Sequence, residues 1–362
     1  MSATILIMAG GTGGHVFPAL AVARVLRNLG HWVVWLGTRR GIEARLVPAE
    51  GIAVEWIEVA GLRGKGLLGW LWAPFSIAVA VTQALAALRR VRPDVVLGCG
   101  GFASGPGGVA ARLTRTPLVI HEQNAVAGLT NRLLARLATR VAEAFPGSFP
   151  PAVAVSVIGN PVRADIAALP EPVTRFAGRQ GPLRLLVFGG SQGAAALNRL
   201  LPMAMAGLPP EARPQILHQT GTSGHAATEA RYRELGVEAT VQPFIDDMAR
   251  AYGEADFAVT RSGALTVSEL AAAGLGALLV PFPAAVDDHQ ARNAQYLAEA
   301  GAARMIREED LTPPSLAAAL GECLNAGRET CLRMATAARG KSMPGAAERL
   351  ADMCLQSVRV AA

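Results

Sequence analysis

The sequence predicts an α/β protein built from two doubly wound parallel-sheet domains, and three observations carry that prediction. At 362 residues the chain exceeds what one hydrophobic core usually organises, so two domains of roughly 150 to 200 residues are expected. Short apolar runs alternate with helical patterns along most of its length, the signature of β-strands joined by crossover helices. Glycine-rich turns then recur at Gly10-Gly11-Thr12-Gly13-Gly14-His15, at Gly98-Cys99-Gly100-Gly101-Phe102-Ala103-Ser104-Gly105-Pro106 and at Gly189-Gly190-Ser191-Gln192-Gly193-Ala194. Each follows an apolar run, so each ends a strand and opens a helix. Lacking a Cβ, glycine lets the backbone turn sharply and approach a ligand, while the unpaired amides of a helix start favour phosphate.

The elements follow in order. Thr4–Ala9 is a strand, 16–29 a helix, Trp32–Leu36 a strand, and a helix begins near Ile42. Strands follow near Val54, Val95 and Val119. Around Pro146–Pro151 the chain turns proline-rich and then passes Ile158-Gly159-Asn160-Pro161-Val162-Arg163, a hinge pattern. The alternation restarts with strands at Arg184–Phe188, Gln215–Gln219, Ala239–Pro243, Phe257–Thr260 and Ala277–Pro281, with a helix over Thr266–Ala273. From Pro344 onward a final helical segment has no strand after it. The expected division is 1–160, 161–340, and a C-terminal helix over 341–362 returning to the first domain.

Hydrophobic residues make up 51% of the chain and charged residues 17%, which excludes a disordered protein. Cys99, Cys323, Cys331 and Cys354 lack CxxC spacing and nearby histidines, so they read as reduced thiols of a cytosolic protein, outside any zinc site or disulfide framework. No secretory signal is expected ahead of the first strand. Net charge is +6, unevenly placed: residues 1–160 hold 15 Arg and Lys against 7 Asp and Glu, the remainder 19 against 21. A basic first half suits an anionic substrate, an anionic bilayer or nucleic acid.

Gly66 to Leu88 carries no charge or histidine over 23 positions, long enough to span a bilayer. It also lies between two strands, where a parallel sheet needs its crossover helix, and both its flanks are basic (Arg63 and Lys65; Arg89, Arg90 and Arg92). Three readings stand: a membrane span, an internal crossover helix, and a helix with one face in the bilayer interface. Aromatic residues beside basic ones favour the third, with Leu67, Leu68, Trp70, Leu71, Trp72 and Phe75 as the membrane-facing set.

The motifs resemble a family of bacterial cell-wall glycosyltransferases that add N-acetylglucosamine to the lipid-linked muramoyl-pentapeptide, lipid I. The matching segments are MAGGTGGHVFPALAVA at 8–23, GLRGKG at 61–66, GCGGFASGPGGVAA at 98–111, HEQNAVAGLTNRLLA at 121–135, GNPVR at 159–163, GGSQGA at 189–194 and SGALTVSELAAAG at 262–274. The resemblance implies the GT-B fold, two Rossmann-like domains facing across a cleft, with acceptor bound mainly by the first and the donor, UDP-N-acetylglucosamine, by the second. It implies inverting transfer to the muramoyl C4 hydroxyl, giving lipid II, at the cytoplasmic face of the plasma membrane. It also leaves room for cell-wall assembly proteins as partners, with no nucleic acid.

Carried over by residue, the family's donor-binding positions fall on Thr12, Gly13, Gly14, Asn124, Arg163, Ser191, Gln192, Ile245, Ala264, Leu265, Thr266, Val267, Ser268, Glu269 and Gln290. Within that set the resemblance implies that Glu269 holds the ribose, the Ile245 backbone meets the uracil, Gln290 reads the sugar hydroxyls, and Arg163 supplies charge as UDP leaves. The turn that carries Thr12, Gly13 and Gly14, together with Gly100, Gly101, Ser104 and Gly105 in the second loop, would also receive the acceptor's diphosphate. A base is needed for the attacking hydroxyl, and His15 and Glu122 are rivals for it. Each also has a structural reading: His15 as an orienter of the loop backbone, Glu122 as a holder of the His121–Asn124 turn. One departure is Phe102, where family members often carry tyrosine. No DxD motif or clustered ligand set calls for a metal, and no cofactor is expected.

Three other classes compete. Gly98-x-Gly100-x-x-Ala103 fits the dinucleotide fingerprint with Glu122 about twenty residues on, as in a nicotinamide-dependent enzyme, but the first and third loops do not share that spacing. A nucleotide-sugar binding module without turnover, and a GT-B transferase with another lipid acceptor, complete the set.

Overall fold

The computed structural model describes residues 2–59, 67–189, 194–324 and 326–361, with the backbone alone over 67–73, at 286, and over 323–324 and 359–361. The chain forms two compact units, Met1–Pro161 with Gly345–Ala362, and Val162–Pro344.

The first unit holds seven parallel strands, β1 (Thr4–Met8), β2 (Trp32–Gly37), β3 (Ala53–Trp56), β4 (Val95–Gly98), β5 (Leu118–Glu122), β6 (Arg140–Glu143) and β7 (Ser156–Val157), in the order β3-β2-β1-β4-β5-β6-β7. β1 is central, with Ile5 opposite both Val33 and Val95. Its apolar run lacks alternation because both faces are covered. Ile5, Ile7 and Ala9 enter one core together with Leu20, Leu26, Trp35 and, from the C-terminal helix Ala346–Ala361, Leu350 and Cys354. Leu6 and Met8 point the other way, into a core with Leu36, Val96, Ile120 and Leu88. The C-terminal helix thus belongs to the first unit, packed on the helix Gly13–Asn28, and Arg349 donates to the Ile158 carbonyl at 2.7 Å.

The helix Leu67–Val91 joins β3 to β4 as a crossover and packs against the helix Ser104–Leu113. Among the described residues no helix is long and apolar enough to cross a membrane. Pro74, Phe75, Ser76, Ile77 and Ala78 are all exposed, Phe75 at 64%. The membrane assignments of Leu67, Leu68, Trp70, Leu71 and Trp72 concern side chains outside the described residues.

The second unit repeats the plan with six parallel strands, β8 (Arg184–Phe188), β9 (Gln215–Gln219), β10 (Thr240–Gln242), β11 (Phe257–Thr260), β12 (Ala277–Leu279) and β13 (Ala303–Met305), ordered β10-β9-β8-β11-β12-β13. Val187, Val259 and Leu278 pack with Leu197, Leu201 and Leu316 from covering helices. In both sheets the strand order reverses direction beside the first strand, at β1/β4 and at β8/β11, and ligands of doubly wound folds bind at the carboxyl ends of strands at such a switch point. The glycine turns after β1 and β4 sit there, and so does the end of β8.

Candidate active site residues in the two units

In the first unit, Thr12 is the extended residue before the helix Gly13–Asn28 and caps it without a side-chain bond. The amides of His15 and Val16 both turn back to the Thr12 carbonyl, at 3.2 Å each. Those of Gly13 and Gly14 have no backbone partner of this kind among the described residues, and they are the orphan donors of a helix start. The loop is held by Glu43, a fully buried carboxylate that no sequence motif marks. Its Oε2 accepts from the Gly11 amide at 2.9 Å, and its Oε1 accepts from the Thr38 amide and hydroxyl at 3.1 and 2.8 Å.

The turn after β4 lies against this loop. Gly100 and Gly101 have φ of +91° and +82°; a Cβ on Gly101 would stand 2.3 Å from the Gly10 carbonyl oxygen, and one on Gly100 2.7 Å from His15 Nδ1. Both glycines are therefore required by conformation and by contact. Ser104 is fully buried, and its hydroxyl is committed to the Gly100 and Met8 carbonyls at 2.7 and 3.1 Å, so its side chain braces the turn instead of facing a ligand. Gly105 follows in the first turn of the helix Ser104–Leu113, and Phe102 is exposed.

The end of β5 completes this half. Glu122 is buried and its oxygens meet four donors: Oε1 accepts from the Asn124 amide and side chain at 2.9 and 3.1 Å, Oε2 from the Gly128 amide and Asn131 Nδ2 at 3.1 and 2.8 Å. A carboxylate so occupied holds the turn. It is poorly suited to take a proton, and equally to hold a cofactor ribose as the dinucleotide reading required. His15 is different: its Nδ1 contacts Gln123 Oε1 at 3.0 Å, and its Nε2 has no partner among the described residues. Gln123 was unassigned by the sequence although it lies inside the His121–Asn124 motif. Asn160 Nδ2 donates to the Gln123 carbonyl at 3.0 Å and His121 Nε2 meets the Gly159 carbonyl at 3.0 Å, so Gly159-Asn160 is fastened to β5 within the first unit.

In the second unit, β11 runs into Arg261-Ser262-Gly263 and then the helix Ala264–Ala273, with Gly263 as a cap that offers no side chain. The first intrahelical bond is Val267 amide to Gly263 carbonyl at 3.0 Å, so the amides of Ala264, Leu265 and Thr266 form the open first turn. Val267 is fully buried and Ala264 nearly so, and Ser268 Oγ donates to the Ala264 carbonyl at 3.0 Å. The ligand-facing capacity of the 264–269 run therefore lies in its first amides and in Glu269. Beside the run, Ser262 Oγ is buried without a hydrogen-bond partner among the described residues, and Asn293 Nδ2 fixes the Ser262 carbonyl at 3.1 Å.

Glu269 is buried and paired. Arg163 Nε meets Oε1 at 3.2 Å, and the hydroxyl of fully buried Tyr252 donates to Oε2 at 3.1 Å. Burial pushes the Glu269 carboxyl above its ordinary range, against the pull of Arg163 and the hydrogen bonds from Tyr252 and Arg163. The same burial, beside this carboxylate, raises the Tyr252 phenol well above its usual value, so it stays a donor. A solvated helix residue is thereby excluded. Gln290 and Ile245 are tied elsewhere: Gln290 Oε1 accepts from the Phe282 amide at 2.9 Å, and the Ile245 amide donates to Gln219 Oε1 at 2.9 Å. Ser191 and Gln192 lie outside the described residues. Among the described residues no group of three His, Cys, Asp or Glu is placed to hold a metal ion.

Two Rossmann-type units with helix-start amides at their switch points define a glycosyltransferase of the GT-B class. A glycosyltransferase family 28 N-terminal domain model matches residues 5–143 and the family 28 C-terminal domain model matches 184–350. The chain belongs to glycosyltransferase family 28. It is 58% identical over 98% of its length to the Nitrosococcus oceani UDP-N-acetylglucosamine–N-acetylmuramyl-(pentapeptide) pyrophosphoryl-undecaprenol N-acetylglucosamine transferase, 99% of which is covered. The protein of the same name from Chromohalobacter salexigens is 56% identical over 98% of this chain and 97% of its own. The crystal structure of Acinetobacter baumannii MurG superposes with a TM-score of 0.85 at 41% identity, covering 98% of this chain and 99% of that one.

Proposed function

We propose that the chain transfers N-acetylglucosamine from UDP-N-acetylglucosamine to the C4 hydroxyl of the muramoyl sugar of lipid I, with inversion, giving lipid II and UDP in peptidoglycan synthesis. The likeness to transferases of that name over nearly the whole of both chains carries the reading. The nicotinamide and binding-module alternatives lose ground to the same likeness, and the first also to the occupied carboxylate of Glu122.

The second unit holds the donor. The open amides at Ala264, Leu265 and Thr266 face the diphosphate, where the helix dipole adds about 0.3–1 kcal/mol beyond direct hydrogen bonds. Glu269 accepts from the ribose hydroxyls, Ile245 and Gln290 border the uracil and the sugar, and Ser191 and Gln192 reach the phosphates. Arg163, anchored through Glu269, offsets charge as UDP departs. In the first unit Gly13, Gly14, Gly100, Gly101 and Gly105 supply backbone surface for the acceptor's diphosphate, with Thr12 and Asn124 beside the reacting sugar.

The reaction is one displacement. The acceptor oxygen forms a bond to the anomeric carbon as the bond from that carbon to the β-phosphate oxygen breaks, and the electron pair leaves with UDP. His15 Nε2 takes the hydroxyl proton. The exposed stretch 74–78 of the helix Leu67–Val91 and the basic excess of the first 160 residues support docking on an anionic cytoplasmic leaflet. Incubation with UDP-N-acetylglucosamine and a lipid I analogue, followed by product analysis, tests the reading. A β-linked disaccharide lipid is expected, and its absence, or transfer of another sugar, overturns it.

A further inference from the structure

We infer that Gln123 and His121 are positioning residues that hold the His15 ring in a single tautomer, hydrogen on Nδ1 and lone pair on Nε2. The inference deepens the proposed reaction and rests on His15 as its base.

The constraint starts at a backbone carbonyl, which can only accept. His121 Nε2 stands 3.0 Å from the Gly159 carbonyl oxygen, so that nitrogen carries the hydrogen. Complete burial lowers the His121 pKa to about 4, which keeps the ring neutral at physiological pH and leaves a lone pair on Nδ1. Gln123 Nε2 lies 3.2 Å from that Nδ1 and 3.3 Å from the His121 carbonyl oxygen. Both are acceptors, and both demand the amide nitrogen of Gln123 on that side. A flipped amide would set oxygen against two acceptors in a buried place.

With its nitrogen fixed, Gln123 turns its oxygen to His15, 3.0 Å from Nδ1. A carbonyl oxygen there requires Nδ1–H, and a neutral imidazole has one hydrogen, so the basic pair resides on Nε2. Gly100 keeps this edge of the ring closed, since a Cβ at that position would fall 2.7 Å from Nδ1. Two hydrogen-bonded side chains thus transmit the direction of one carbonyl to the nitrogen that needs to be free. The third member of a catalytic triad performs the same service, and the wrong tautomer there costs about 10⁴-fold in kcat.

Long-range ¹H–¹⁵N correlation of the full-length chain, labelled in histidine, reads the tautomer directly. Wild type is expected to show His15 with hydrogen on Nδ1, and the opposite tautomer overturns the proposal. Gln123→Leu removes the acceptor; mixed tautomers and a kcat lowered roughly 10²-fold are expected, with little change in donor KM. Gln123→Glu restores an oxygen opposite Nδ1 and, with its other oxygen protonated toward His121, is expected to recover the tautomer and most of the lost kcat. His121→Phe, which removes one of the two acceptors that hold the Gln123 nitrogen and leaves its contact to His15 in place, provides a second route if the leucine variant does not fold, and is expected to mix the tautomers in part. An unmixed spectrum with unchanged kcat in Gln123→Leu, or in His121→Phe where that variant takes its place, overturns the relay. His15→Ala separates the two levels: retained turnover removes the base assignment and the relay's purpose, whereas lost turnover with a tautomer indifferent to Gln123 removes the relay alone.

Discussion

Arg163 and Glu269, 106 positions apart, meet with guanidinium Nε 3.2 Å from carboxylate Oε1, while the other carboxylate oxygen accepts from Tyr252. Glu269→Ala is therefore expected to do two things. Donor KM rises roughly ten-fold, the equivalent of one charged hydrogen bond of about 1.5 kcal/mol. Stability also falls, because the Tyr252 hydroxyl is left buried and unpaired, at about 1–3 kcal/mol. Steady-state kinetics and urea unfolding on the same variant measure both. The sequence alone suggests an effect on donor binding with little on folding, and burial is what changes that expectation.

Gly101→Ala should be among the most damaging small substitutions in the first unit. The new methyl group meets the Gly10 carbonyl oxygen at a backbone φ of +82°, whereas Gly11, at +89°, has nothing within 4 Å. Gly11→Ala is expected to lose about 1–2 kcal/mol from the left-handed backbone alone, and Gly101→Ala clearly more. Equal unfolding midpoints for the two variants would remove the close-approach explanation.

Acid sensitivity follows from two buried imidazoles. Burial lowers His121 to about 4 and His218 to about 3, from an ordinary 6.5. Between 6.5 and 4 the unfolded chain takes up protons that the native state refuses, so stability is full above that window and falls as pH drops through it. Each histidine adds a slope of up to about 1.4 kcal/mol per pH unit. Urea unfolding of wild type and His218→Gln across this range should show a shallower slope in the variant. Identical slopes would contradict the assignment.

Vesicle sedimentation with anionic lipid tests the helix Leu67–Val91. Replacing Trp70, Trp72 and Phe75 by serine is expected to reduce association several-fold, on the scale of a few buried apolar side chains. Turnover of a soluble acceptor should persist. Undiminished binding would move the docking surface elsewhere.

Much of the architecture was legible because its signals are local. Apolar runs of four to six residues, glycine turns and intervening helical periodicity act over a few positions, and they place β1, β4, β8 and β11 within a residue or two of their observed bounds. The site was legible only where a motif marked it. Glu43, Gln123 and Tyr252 carry no local signal, since a carboxylate, an amide and a phenol acquire their roles from partners 32, 108 and 17 positions away. Ser104 illustrates the reverse. It stands in a ligand-type loop, yet the fold turns its hydroxyl inward to two carbonyls.

The carboxylate of Glu43 has a further consequence for the chemistry of the first loop. Its contact with the Gly11 amide gives that loop an internal acceptor, so one of its donors is already satisfied before any substrate arrives. An incoming phosphate competes with the Glu43 oxygen on one flank and finds, on the other, the Gly13 and Gly14 amides, which have no backbone partner among the described residues. The loop is therefore a directional receptor, and a phosphate mimic designed against it gains contacts by reaching toward the helix axis and loses them by leaning toward Gly11.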